Sequence, residues 1–264
     1  RYWRDWSSDV CSSDLLLLLP ELLVIQHVDR EGPDRIADWA CAKGITVQRI
    51  RPDQGEALPA VETQKPAVAV LMGGPMGVNE RQQPGLDWLE QELAWLKQWL
   101  AQGRPALGIC LGAQLLCVAS GGSIEPLSAG DPAHPLKEVG FGPISWQKAA
   151  AEVPWLQGIP THQLVLHWHG DRCRLSEHAE LLASTLHCPE QAFQIGQHAV
   201  GLQFHVEASP INVERWIAAD QAFIRSAGTS GERIKRDQKR FQSTLEREGN
   251  LLLDQLLNHL MAQA

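Results

Sequence analysis

Positive charge is in deficit: 23 Lys and Arg stand against 31 Asp and Glu, for a net charge of -8. Neither nucleic acid nor an anionic membrane surface is therefore an expected partner. No apolar run reaches the roughly 18 residues of a membrane span. Cysteines are few and never paired as Cys-x-x-Cys. With Cys11 set aside, Cys41, Cys110, Cys117, Cys173 and Cys188 form an odd set. That set argues against a disulfide framework or a zinc site and suits a reducing cytoplasm. Internal repeats and low-complexity linkers are also missing, so one large α/β domain is the economical expectation.

The first 15 residues show no hydrophobic period. Asp5 to Leu15 reads as the translation of a common sequencing-library adapter, so residues 1–15 are expected to be a disordered artefact and 16–264 one domain. A secretory signal is the competing reading of Leu15 to Leu19. Three aspartates, Pro20 and the short apolar run weigh against it.

Three stretches carry chemistry. Leu107-Gly108-Ile109-Cys110-Leu111-Gly112-Ala113-Gln114 is an apolar run ending in a cysteine between glycines, followed by helix-forming residues. It reads as a nucleophile elbow, with the Cys110 thiol above a sheet edge and at a helix N-terminus, where the dipole favours thiolate. Taken alone, it reads equally as a buried cysteine in a turn. Val200 to Glu207 alternates as a strand, so His205 and Glu207 share a face and suit a base and its orienter. Without Cys110 such a pair is more often a surface salt bridge. Val68 to Gly77 is a third apolar strand running into Gly73-Gly74-Pro75. The amide of Gly73 or Gly74, with that of Leu111, suits an oxyanion hole; a plain tight turn is the alternative. No Gly-Lys-Ser/Thr ending follows, which excludes a phosphate-binding loop.

Between these stretches the pattern alternates strand and helix. Strands are expected at Leu22 to Gln26, Thr46 to Ile50, Ala67 to Leu71 and 105–109, and helices at Pro33 to Ala42, Pro84 to Gln102 and Gly112 to Ala119. Leu89, Leu93, Leu96 and Leu100 keep a helical period, and Trp88, Trp95 and Trp99 widen that apolar face. The implied fold is α/β, a mainly parallel sheet with helices on both faces, with ligands at the carboxyl ends of its strands. From Ser123 to His198 shorter runs (Phe141 to Trp146, Gln163 to Trp168, Leu181 to Leu186) predict a peripheral β-region. His167 and His169 stand two apart on one of these runs, but no third ligand matches, so no metal is expected. Pro210 to Ala227 reads as a helix, 233–240 as a basic helix face and Leu252 to Leu260 as an amphipathic terminal helix.

Gly-Gly-Pro, Gly-Ile-Cys-Leu-Gly-Ala-Gln, Trp168-His169-Gly170-Asp171 and Gly-Leu-Gln-Phe-His-Val-Glu, in this order, resemble the class I, triad-type glutamine amidotransferases. The likeness runs from about Leu22 to Glu207 and is nearest to free-standing members similar to the glutaminase domain of GMP synthase. It implies a flavodoxin-like fold and a triad of Cys110 as nucleophile, His205 as base and Glu207 as orienter. It also implies that Gly74 and Leu111 donate to the oxyanion, while Gln114, Gly170 and Asp171 hold substrate. No cofactor is implied. The partners would be glutamine or a γ-glutamyl small molecule, and a synthetase or acceptor subunit in trans. Val206 stands where many members carry proline; its side chain is expected to point away from the site. Three rivals stay open: a free-standing γ-glutamyl peptide hydrolase, a cysteine peptidase of related architecture, and a non-catalytic binding module.

Removing Arg1 to Leu15 is expected to leave the melting temperature unchanged in a calorimetric scan. A loss of only about 1 kcal/mol would already shift it by roughly 2–4 °C.

Overall fold

The computed structural model describes residues 21–63, 65–130, 134–147 and 152–264. The expected adapter-derived segment and Leu15 to Leu19 lie outside the described residues. Strands β1 (Glu21–Ile25), β2 (Val47–Ile50), β3 (Ala67–Leu71) and β4 (Ala106–Ile109) alternate with helices α1 (Asp34–Ala42), α2 (Asp87–Ala101) and α3 (Leu111–Ala119). Then come β5 (Ser123–Pro126), β6 (Ser128–Ala129), β7 (His134–Pro135), β8 (Glu138–Trp146), β9 (His162–His169), β10 (Asp171–Arg174), β11 (Ala179–Ser184), β12 (Ala192–Ile195) and β13 (Ala199–Leu202). Helices α4 (Pro210–Ala219), α5 (Gln221–Ser226) and α6 (Gly231–Met261) close the described chain.

The main sheet runs β2-β1-β3-β4-β13-β12-β11-β8-β9. Its first five strands are parallel, and the remaining neighbours pair antiparallel. The peripheral β-region is thus mostly a continuation of the same sheet, beside two small ribbons, β5-β10 and β6-β7. Short connections such as Gly196 to His198 explain this, since they can only return a strand antiparallel to its neighbour.

Period-two alternation distributes the core. Leu22 and Val24 of β1, Val68 and Val70 of β3, and Leu107 and Ile109 of β4 face α1 and the Leu252–Leu260 part of α6. Leu23, Ile25, Ala69 and Leu71 face the other way, onto the Leu89, Leu93, Leu96 and Trp99 stripe of α2 and onto α3. Each fully buried leucine contributes about 1.5–3 kcal/mol, so both faces hold the parallel half rigidly. Among the described residues no helix is long and apolar enough to cross a membrane.

Three expected elements differ. The helix expected over Pro210 to Ala227 breaks at Asp220, which separates α4 from α5. The basic face and the leucine-rich terminus are one 31-residue helix, α6, capped by the Ser230 side chain. The strand expected through Phe204 stops at Leu202.

Helix α3 starts so close to β3 that a Cβ on Gly112 would strike the Leu71 carbonyl. Because that obstacle is backbone, Gly112→Ala is expected to cost about 3 kcal/mol, the upper end for overpacking. A thermal melt should fall by roughly 6–12 °C.

Candidate active site

Strand β4 ends at Ile109, and Cys110 turns the chain at φ 52, ψ -105 before α3 begins. A non-glycine residue held there stores on the order of 1–3 kcal/mol and persists only where its surroundings impose it. The turn puts the Cys110 side chain at the N-terminus of α3, where the partial positive charge of the helix favours an anion. Leu111 is the first residue of α3, so its N–H has no partner within the helix. Gln203 donates from Nε2 to Cys110 Sγ at 3.6 Å. The Oε1 of Gln203 accepts from Gln114 Nε2 at 3.3 Å. Gln114, expected to hold substrate, therefore also braces the residue that touches the thiol.

His205 sits in the turn after β13, tied to β9 by its N–H to the Leu166 carbonyl at 2.8 Å. Its Nδ1 meets Glu207 Oε1 at 2.7 Å, both side chains nearly inaccessible. The expected pair is present, but strand alternation does not make it: β13 has already ended, and the turn brings the two side chains together. Glu207 Oε2 accepts from the Val206 N–H at 3.0 Å, a bond that proline could not supply. The Val206 side chain joins the apolar core. Burial lowers the pKa of His205, but the Glu207 charge and a hydrogen bond with Cys110 outweigh it and hold the imidazole well above its usual range. The ring packs edge-on against Trp216 at 4.8 Å.

Cys110, Gly74, Leu111, Gln114, Gly170 and Asp171 line one cavity of about 520 Å³. The Gly170 carbonyl accepts from Leu127 N at 2.8 Å, and the Asp171 carbonyl accepts from His169 Nδ1 at 2.9 Å. Those two carbonyls are therefore engaged with the protein. Burial pushes the Asp171 carboxyl above its usual range. Trp168 does not present a free indole: its Nε1 donates to Asp220 Oδ2 at 3.0 Å, and the ring packs against Trp216. Arg30 also grips Asp220, at 3.0 and 3.2 Å, which explains why the helix breaks there with its carboxylate turned inward.

Several site residues carry no sequence signal. Glu31 lines the same cavity, and its carboxyl lies where Gly73 lacks a Cβ, beside the His205 ring. Burial raises its pKa against the attraction of His205 and Arg30. His169, for which no third metal ligand was evident, meets Glu138 Oε2 at 3.1 Å, and Cys188 completes a cluster of donors within 4.8 Å. Both oxygens of Glu138 already accept hydrogen bonds, from Thr185 at 2.6 Å and Gln191 at 2.6 Å. Burial, with Glu138 and Glu190, pushes the Cys188 thiol up to about 12, and burial lowers His167 to about 4.

The geometry agrees with what comparison finds. The model of the class-I glutamine amidotransferase family matches residues 35–222. The chain belongs to that family. A glutamine amidotransferase-like protein of Salmonella typhimurium, YfeJ, is 31% identical over 206 residues, covering 77% of this chain and 82% of its own. GMP synthase of Thermomicrobium roseum is 32% identical over 151 residues, 57% of this chain but only 25% of the synthase. Among solved structures, a glutamine amidotransferase of Thermotoga maritima superposes with a TM-score of 0.77 at 26% identity, covering 90% of this chain and 98% of that one. One from Methylobacillus flagellatus gives 0.79 at 25% identity, covering 92% and 96%.

The Glu138 carboxyl titrates below its ordinary 4.5, because His169 outweighs the opposing effect of burial. A carboxyl depressed in the folded state adds stability above its unfolded pKa and loses it as pH falls through the folded one. Glu138→Gln should thus cost about 2 kcal/mol at neutral pH, in line with a hydrogen bond to a charged group. In urea melts the gap to the parent should close as pH drops below about 4.5.

Proposed function

We propose that the chain hydrolyses the side-chain amide of glutamine through a Cys110 thioester, releasing ammonia and glutamate. The observation that carries this reading is Cys110, strained at a helix N-terminus, beside a His205 that Glu207 holds at 2.7 Å. His205 takes the thiol proton, aided by the carboxylate that orients it, and the thiolate attacks the γ-carbonyl. The amides of Gly74 and Leu111 meet the oxygen as it gains charge. His205 then passes its proton to the departing nitrogen, and water cleaves the thioester by the same route in reverse. Gln114, Gly170 and Asp171 hold the amino-acid end. The proposed setting is the cytoplasm, with the ammonia consumed by an acceptor subunit in trans, as the match to a glutamine-hydrolysing GMP synthase suggests.

The size of the cavity favours a second reading. About 520 Å³ exceeds what one glutamine fills, and Asp220 and Phe223 also line it. A γ-glutamyl peptide, cleaved by the same groups, would occupy it.

Purified protein assayed alone separates these readings. The amidotransferase reading predicts slow glutamine turnover and no preference for γ-glutamyl peptides. A kcat/KM at least tenfold higher for a peptide, narrowed by Trp168→Ala, would favour the hydrolase. Under either reading Cys110→Ser should abolish turnover. His205→Asn should lower it by about 10²- to 10⁴-fold, and Glu207→Gln by less. Negligible effects of both would remove the triad.

A further inference from the structure

The peptide between Gly73 and Gly74 is the loosest part of the proposed machinery. Neither residue has a Cβ, so little intrinsic restriction holds its plane. The Gly74 amide serves an oxyanion only while it faces the cavity. In a trans peptide the C=O and the following N–H point in opposite directions. Whatever holds the Gly73 carbonyl on one side therefore aims the Gly74 N–H at the other.

His27 holds it. The Gly73 carbonyl accepts from His27 Nδ1 at 3.2 Å. The other ring nitrogen, Nε2, lies 2.9 and 3.0 Å from the two carboxylate oxygens of Glu92. Both ring nitrogens face acceptors, so both carry protons, and His27 is an imidazolium. Burial opposes that charge, yet Glu92 and the Gly73 carbonyl together raise the His27 pKa above its usual value.

Neither side chain of the pair is accessible to solvent. Trp88 stacks on the imidazole with ring centres 5.6 Å apart. Trp88 and Glu92 are four residues apart on α2, one turn on the same face, so one helix both covers and neutralises the ring. His27 follows β1 and Gly73 follows β3, neighbouring parallel strands, so both loops leave the same sheet edge. Gly74 is wedged there: a Cβ on it would lie 2.8 Å from Leu111 Cδ2 and 3.3 Å from His27 Cβ. A buried ion pair adds little stability over apolar packing of the same volume, and most of the surrounding core is apolar. Geometry is the better reason for its presence.

We propose that His27 and Glu92 are positioning residues that lock the Gly73–Gly74 peptide with its N–H turned toward Cys110. The proposal rests on the reading of Gly74 as an oxyanion donor.

The test compares the full chain with His27→Phe, Glu92→Gln and the double variant His27→Phe/Glu92→Leu, which leaves no unpaired charge if a single variant fails to fold. The double variant should keep its melting temperature, while kcat falls by about 10- to 100-fold and KM stays within about twofold, because the oxyanion exists only in the transition state. Alkylation of Cys110 by iodoacetamide, a displacement at saturated carbon that forms no oxyanion, should be unchanged. His27→Gln, whose amide can still donate to the Gly73 carbonyl, should recover part of kcat. A double variant with parental kcat overturns the lock, and so does a parallel loss of kcat and alkylation rate. A parent protein that cleaves neither glutamine nor γ-glutamyl peptides ends the functional reading instead. Nitrogen-15 spectra of the His27 ring then judge the lock separately: a proton on Nδ1 at neutral pH supports it, and a ring with Nδ1 unprotonated overturns it.

Discussion

The backbone of Cys110, held at φ 52 between a buried strand and a buried helix, is the constraint on which the site depends. Left to itself the turn would relax, at a gain on the order of 1–3 kcal/mol. It does not relax because both of its sides are pinned. Cys110 N–H bonds the Leu202 carbonyl at 2.8 Å, and Gly112 N–H bonds the Met72 carbonyl at 3.1 Å. One bond ties Cys110 to the strand that leads to His205; the other ties its turn to the strand that leads to Gly73. The thiol, the imidazole and the glycine turn are thus positioned by one set of backbone contacts at one sheet edge, where open α/β sheets bind ligands.

Around that edge stand histidine–carboxylate pairs with little or no exposure, among them His205 with Glu207, His27 with Glu92, and His169 with Glu138. Net stability is a weak explanation for them, since desolvating two charges consumes most of their mutual attraction. Direction is a better one. Each pair fixes a ring whose free edge or second nitrogen meets something at the site: the Cys110 thiol, the Gly73 carbonyl and the Asp171 carbonyl respectively. Apolar packing would fill the same volumes without specifying an orientation.

Legibility in the sequence followed the range of the interaction. The Cys110 elbow, the Gly73-Gly74 turn and the leucine stripe of α2 are local patterns, because period two, period 3.6 and glycine placement act over a few residues. The pairing of His205 with Glu207 was also legible, although for a different reason than alternation, since a two-residue separation keeps side chains close in a turn as well. Asp220 was read as helix interior because its partners, Arg30 and Trp168, lie 190 and 52 residues away. Glu92 and His27 belong to no sequence motif, because the contact that gives them a role joins a helix to a distant loop.

By itself, then, the sequence determined the alternating β-α framework, the strand ends that carry Cys110 and the glycine turn, and the family to which they belong. All of these are written in short-range periodicity and contiguous motifs. Only the tertiary structure decided that the later strands extend the main sheet, that Gln203 touches the thiol, and that His27 and Glu92 meet behind Gly73. Those outcomes depend on strand order and on which helix covers which loop. A contact between residues 65 positions apart leaves no mark on the spacing of either one.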